Sequence, residues 1–481
     1  MQNCLQFRTS PAMLFYPVYP VFCASASLVL AGLLATFVVT AKAATVIDLE
    51  PPLPADNPYA AAISSWKTLP EETRKKLASG ESPADPQAAS ALDAISHALR
   101  TGADAPTVNW GMEIDQLTPW NVTVPYVGPM REISRVALAR ADRLAGTDPQ
   151  SAVTLVAAAL AAARHTGAGN LLIDRLTQTA ITQMATEWIG RHLPGLSPEA
   201  VSILQERIAT LPAGGDWTAS LVNSKILPEA LLNELCRAVA LAPAAESART
   251  ARTLRMAGML VEGGTTSISL ESSEGNFWIR PGQTRHGIRL VRVDLDHRQA
   301  LLTYEGRLVQ LHLTERKFVD LDATRISDTV RQLPDDHPLR KFFSPPDENG
   351  DTPGPLDTLA QWVAVIDEVT GYYDAVAPDF ENFDFADTKA RYERLGPHAK
   401  VLTMGMTPLL QTAAREKILQ TQLAAALKAA DTGRPPSGIT DPVTGKPIQI
   451  IPTRDGYILE SGFTDSRKRP TRLVIGPKPA D

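Results

Sequence analysis

Apolar residues recur three and four apart from about residue 58 to residue 260, alternate with polar ones to about residue 313, and return to helical spacing after residue 356. The succession predicts helices, then strands, then helices again. In the first stretch, helix starts are marked by a capping residue with proline at the first helical position, most clearly at Asp148-Pro149 and Ser197-Pro198. Gly128-Pro129 opens a helix that Gly146 closes, and the helix begun at Asp148 ends at Gly167. The next carries Leu172, Leu176, Ala180, Met184 and Trp188 four apart, which puts all five on one face.

From residue 263 the pattern reads as a β-meander: SISLES, NFWIRPG, IRLVRVD, QALLTYEG and RLVQLHL, separated by Gly275, Gly282, Asp296 and Gly306. Leu290, Val291, Val293, Leu301, Leu302, Val309, Leu311 and Leu313 are its expected inner face, closing a small antiparallel roll or barrel. A last long helix is expected from Pro408 to Ala430, capped by Thr407. Beyond it Ile448 and Ile450 should pair with Tyr457 and Leu459 across Asp455-Gly456, followed by a loose basic tail. The chain therefore divides into an export segment (residues 1–43), a proline-rich linker (44–57), a helical domain (58–262), a small antiparallel β domain (263–315), a second helical domain ending in the long helix (316–430), and a β-hairpin with a basic tail (431–481). The fold class is mainly α, an irregular helical array or solenoid with a small inserted β domain.

The N-terminus changes the picture of where this fold works. No charged residue lies between Arg8 and Lys42, the apolar heart is LVLAGLLATFVV, and Ala41-Lys42-Ala43 places small residues where a signal peptidase reads. Cleavage there, and an uncleaved inner-membrane anchor over residues 18–40, are both open. Either way the body of the chain is expected outside the cytoplasm, in the periplasm. Losing Arg8 and Lys42 takes the formal charge from −6 to −8, since no acidic residue goes with them. A mildly acidic chain without a basic stripe argues against nucleic acid as a partner. Cys4 and Cys23 precede or lie in the export segment, so Cys236 stands alone in the body, in an apolar helical pattern that suits a buried, inert thiol.

Four stretches resemble known families. Gly433, Pro435, Asp441, Pro442, Gly445, Pro447, Gly456, Tyr457 and Leu459 follow the plan that ends a family of uncharacterised exported bacterial proteins, a long helix followed by "DPxxGxP" and "GxxLYS" segments. The major pseudopilins of type II secretion close on the same plan, but their processing motif is missing here, and the usual closing "SxGxDG" has become SGFTDSRKRP. Asn109, Trp110, Pro125, Arg131 and Ala141 sit where that exported family has a tryptophan loop, an arginine-rich first helix and an alanine-rich second one. The alanine-rich run VTLVAAALAAARHTG is similar to the contact positions of tetratricopeptide pairs, although no period of about 34 residues is present. In the meander, Gly282, Leu290, Val293, Ala300, Leu302, Gly306, Leu311 and Leu313 fit the pattern of the secretin-docking periplasmic domain of type II secretion clamp and pilus-assembly proteins. These resemblances imply no catalytic residue and no cofactor.

Candidate chemistry is sparse. None of the eight histidines forms a zinc-protease pair, and no nucleophile elbow, phosphate loop or dinucleotide fingerprint occurs, so no catalytic, cofactor or metal residue is assigned. His192, near a helix end, suits a capping role; His286, His297 and His312 would need the meander to gather them before they could hold a metal. Residues 347–351 look like the start of a calcium loop with its glycine misplaced, which favours a solvated turn. PDFENFDFADT, residues 378–388, reads as a loop anchored by Phe380, Phe383 and Phe385. Two groups remain: an interaction face of Trp278, Arg280, Tyr304 and Arg307, residue types that dominate binding hot spots, and a loop site of Asn109, Trp110 and Arg131. The expected function is a non-enzymatic exported scaffold that binds another envelope protein, such as a secretin or an inner-membrane platform component. The alternatives are an accessory of a type II secretion or type IV pilus-like system, and a hydrolase whose site is assembled from distant residues.

Overall fold

The computed structural model describes residues 53–477, apart from 84, 113–123, 170, 241–253, 263–264, 296–297, 305, 314–317, 322–324, 336, 338, 341–355 and 404–405. These all belong to one compact unit, Ile47–Asp481. The export segment lies outside the described residues, and among those described no helix is long and apolar enough to cross a membrane. The architecture is mainly α with small antiparallel sheets and no closed barrel.

Helices α1 (Ala60–Thr68), α2 (Glu71–Ala78) and α3 (Pro86–Ala103) close over α4 (Val127–Leu144) and α5 (Pro149–Gly167). Tyr59, Trp66, Ile95, Leu99, Met130 and Ile133 form their shared core. The caps expected from sequence are formed: Asp148 accepts from Ser151 N at 3.1 Å and Ser197 from Ala200 N at 3.3 Å.

Helix α6 (Leu172–His192) is the axis of the helical body. It contacts α4, α5, α8 (Trp217–Ser224), the long α15 (Met406–Thr432) and the C-terminal strand β11 (Pro470–Ile475). Being covered on several sides, it buries more than an apolar stripe. Leu172 and Trp188 are buried, Leu176, Ala180 and Met184 only half so, and Asp174, Arg175, Thr177, Gln178, Thr179 and Thr186 are buried as well. Between these lie α7 (Pro198–Ala209), packed on α5, and α9 (Ile226–Ala240), which holds buried Cys236.

The β region begins earlier than its alternation suggests. Leu254–Glu262, expected to be helical, is strand β1. A register shift between Met256 and Gly258 flips its parity, so apolar residues at 254, 256, 259 and 260 mimic a helical spacing. With β2 (Thr265–Ser272) and β3 (Gly275–Ile279) it forms one sheet. Strands β4 (Thr284–Arg285), β5 (Ile288–Asp294), β6 (Gln299–Tyr304), β7 (Arg307–His312) and β8 (Phe318–Asp320) form the other. Thus the expected roll or barrel is a pair of open sheets. Ile268, Leu270, Phe277 and Ile279 meet Leu290, Leu302, Val309 and Leu311 between them. Leu301, Leu308 and Val291 turn the other way, into a core with α9, α10 (Ile326–Gln332) and α11 (Leu359–Val376). The second sheet is therefore apolar on both faces, which is why its leucines come in adjacent pairs.

After α11, the short helices α12 (Asp379–Asn382), α13 (Phe385–Arg394) and α14 (Pro397–Leu402) lead into α15. The C-terminal hairpin is present: β9 (Gln449–Thr453) pairs with β10 (Gly456–Thr464), Leu459 opposite Ile450 and Tyr457 opposite Pro452, while Ile448 stays outside the strand. The tail is not loose. Its Pro470–Ile475 forms β11, paired with β10, and Leu473 and Ile475 are buried against α6. The alternation Thr471, Leu473, Ile475 carries this strand; the charge of the preceding Arg467-Lys468-Arg469 masks it.

Candidate functional site

Trp110 is 6% exposed, so it is an anchor and not a surface group. Its ring stacks on Tyr126 at 4.1 Å and Tyr59 at 5.8 Å, and its Nε1–H donates to the His165 carbonyl at 2.9 Å. His165 Nε2 lies 2.9 Å from the Ala105 carbonyl, which can only accept, so Nε2 carries the proton and Nδ1 accepts from the Tyr59 hydroxyl at 2.8 Å. Burial lowers the pKa of His165, outweighing the bond to Ala105, and keeps the ring neutral. Beside it, the Tyr126 hydroxyl donates to Asp174 Oδ1 at 2.9 Å, and Leu171 N to Oδ2 at 3.1 Å. Gly169 lets this carboxyl in, since a Cβ there would run into Asp174 and the Tyr126 hydroxyl. Desolvation raises Asp174 to about 7 despite the two hydrogen bonds. Of the other loop candidates, Asn109 is exposed and tied to Asn57 and Gly111, and Arg131 pairs with its neighbour Glu132 at 3.4 Å.

A second polar layer lies further along α6. Glu416, from α15, accepts on Oε2 from Arg175 Nη2 at 2.7 Å, Thr179 Oγ1 at 3.0 Å and Trp217 Nε1 at 3.2 Å. The Arg175 guanidinium stands 5.0 Å over the Trp217 ring. Gln178 accepts from Gly215 N at 2.9 Å. None of these residues was singled out from sequence, because polar residues in an amphipathic helix ordinarily mark its solvent side.

The proposed interaction residues fall on both sheets. Trp278 is 47% exposed between buried Phe277 and Ile279 on β3; in register it faces Ser269, which faces Gly258, and its ring tip reaches Gly258. Leu260 and Val261, at the end of β1, are also exposed. Arg280 is exposed just beyond Trp278, and Arg285 donates to the Trp278 carbonyl at 3.3 Å. Tyr304 is half-buried against the inter-sheet core and faces Arg307 across the β6–β7 turn.

Elsewhere, His192 meets Asp142 at 2.7 Å and stacks on Trp188 in the last turn of α6, while His286 pairs with Glu274 at 2.5 Å and His312 with Gln299 at 3.2 Å. His297 and residues 347–351 lie outside the described residues. Residues 378–388 hold α12 and the start of α13 and not a loop alone: Asp384 caps α13, and Thr388 donates to buried Asp379 at 2.7 Å. Among the described residues no group of three metal-ligating side chains gathers. A shallow depression of about 280 Å³ between α3 and α4 is lined by Pro83, Leu92, Asp93, Arg140 and Arg143, with Arg140 paired to Asp93 at 2.8 Å. No protein-family model, curated protein or solved structure matches the chain.

Proposed function

We propose that the protein is an exported, non-catalytic helical scaffold that binds another envelope protein through the outer face of the β1–β2–β3 sheet. The observation that carries this reading is the exposure of Trp278 at 47% and Leu260 at 47%, which the register places on the same outer face, with Gly258 and Ser269 between them. A scattered exposed leucine needs no explanation, but a tryptophan on one face with an exposed leucine and a flanking arginine is the composition of a binding centre. The tryptophan loop gives the rival catalytic reading little support, because Trp110, His165 and Asp174 hold one another in a stacked, hydrogen-bonded core. The resemblance of the meander to secretin-docking domains makes a secretin or an inner-membrane platform protein the first partner class to test. Affinity capture from envelope extracts should recover such a partner with the wild-type chain and lose it with Trp278→Ser, whose unfolding free energy should stay within about 0.5 kcal/mol of wild type, as for other surface changes. Equal recovery by both proteins would sink this assignment.

A further inference from the structure

We propose that the helical body holds a small-oxyanion site between Arg164, Arg175 and Gln178, able to take a carboxylate or a phosphate group. Donors outnumber acceptors around Glu416. Its Oε2 already accepts from Arg175, Thr179 and Trp217, and its Oε1 from Gln420 Nε2 at 3.2 Å, so its capacity is largely committed. What remains is an excess of N–H groups. Arg175 is 6% exposed and Gln178 fully buried, yet Arg175 Nε and Nη1 and Gln178 Nε2 meet no acceptor. A buried donor left this way costs about 1–3 kcal/mol, more when it is charged.

Charge points in the same direction. Arg164, half-buried in the last turn of α5, is attracted by Glu416 and repelled by Arg175, and has no ion pair among the described residues. Two guanidinium groups therefore lie near one carboxylate that is paired, among the described residues, with Arg175 alone. The backbone brings Arg164 and Gln178 together beside Arg175, which lies one turn before Gln178 on α6. A Cβ on Gly214 would stand 2.6 Å from both Arg164 Cδ and Gln178 Nε2, so both side chains close over the same bare glycine. The bond from Gly215 N to Gln178 Oε1 orients the amide, so that Oε1 is committed and Nε2, beside Gly214, is the end without an acceptor. Donors alone, two of them planar guanidinium forks, select an acceptor-rich anion and reject cations and hydroxyl donors.

The test follows thermal unfolding of the full chain in sodium phosphate and in sodium acetate, each against sodium chloride at equal ionic strength. Arg175→Gln would leave Glu416 buried without its partner, so the diagnostic variant is Arg164→Gln at a half-exposed position. We expect a saturable rise in melting temperature with phosphate, acetate or both, with apparent affinity at least about tenfold weaker in Arg164→Gln, the loss of one charge-assisted contact. Phosphate alone would mark the site as one for phosphate groups, and acetate as one for carboxylates. A rise no greater than that with chloride, or one unchanged in Arg164→Gln, overturns the site.

Discussion

Asp174 is a carboxyl with little to gain from its charge. It is fully buried, receives only two hydrogen bonds, and sits at about 7 where an ordinary aspartate sits at 3.8. A folded-state pKa above the unfolded one means that the native state binds the proton more tightly, so this group favours folding most below about pH 4 and loses that contribution as pH rises to about 7. The span corresponds to roughly 4 kcal/mol at most. Asp174→Asn imitates the protonated form at every pH. Melting curves from pH 5 to 8 should show the wild type giving up stability relative to Asp174→Asn as pH rises; a constant offset would show that the carboxyl titrates normally. The Arg175–Glu416 pair makes a different prediction at the same scale. Glu416→Gln leaves Arg175 charged and buried without a counterion and should cost about 3–5 kcal/mol in urea unfolding, while Arg175→Met combined with Glu416→Met should recover most of the loss. Caps such as Asp148 and Ser197 were legible in sequence because a cap is decided by a few neighbouring atoms. Asp174, Arg175 and Gln178 were not, because their burial is decided by Tyr126, Glu416 and Gly215, far away along the chain.

At the scale of elements, the meander strands β2, β3 and β5 to β7 and the C-terminal hairpin could be read from alternation and glycine turns. Strands β1, β4, β8 and β11 could not: β4 and β8 are only two and three residues long, too short to show a period, and the other two were hidden for separate reasons. In β1 the bulge at Met256/Gly258 breaks the period of two, and in β11 a basic lead-in hides a short apolar alternation. β11 is also where an element depends on a single residue. Gly190, in the last turns of α6, accepts from Gly476 N at 2.9 Å through its carbonyl, and a Cβ on it would run into the Val474 carbonyl and lie 3.0 Å from Leu473 Cδ1. Gly190→Ala gains about 1 kcal/mol of helix propensity. It also forces β11 off the helix, an overpacking cost of about 1–3 kcal/mol with the strand's own burial lost besides. The second effect should win: the variant should unfold at lower urea and be clipped within residues 465–477 by protease under native conditions. A Gly190→Ala protein more stable than wild type would mean that β11 does not dock on α6.

Across the described unit, the question is whether the sheets hang from the helices or fold with them. The hydrophobic period switches twice along the chain, a pattern that suggests a division into a helical domain, a β domain and a second helical domain. The cores do not respect it. Leu301 and Leu308 leave the inter-sheet layer and join Leu231, Leu235, Val330, Trp362 and Ile366, so strands β6 and β7 share one apolar cluster with helices on either side of them in sequence. Arg289 on β5 reinforces the junction by donating to Asp367 on α11 at 2.7 Å, although an exposed pair of this kind adds little. A sheet whose second face is buried this way cannot unfold without exposing α9 and α11, so the helices and strands should melt together. Leu308→Ala should remove about 2–5 kcal/mol, the range for a fully buried leucine, and shift one calorimetric transition as a whole. Circular dichroism at a helical and at a strand-sensitive wavelength should give the same midpoint in wild type and variant. If the variant's strand signal instead melted well before its helical signal, the β sheets would be an appended module, and the exposed Trp278 face would move on a hinge of its own.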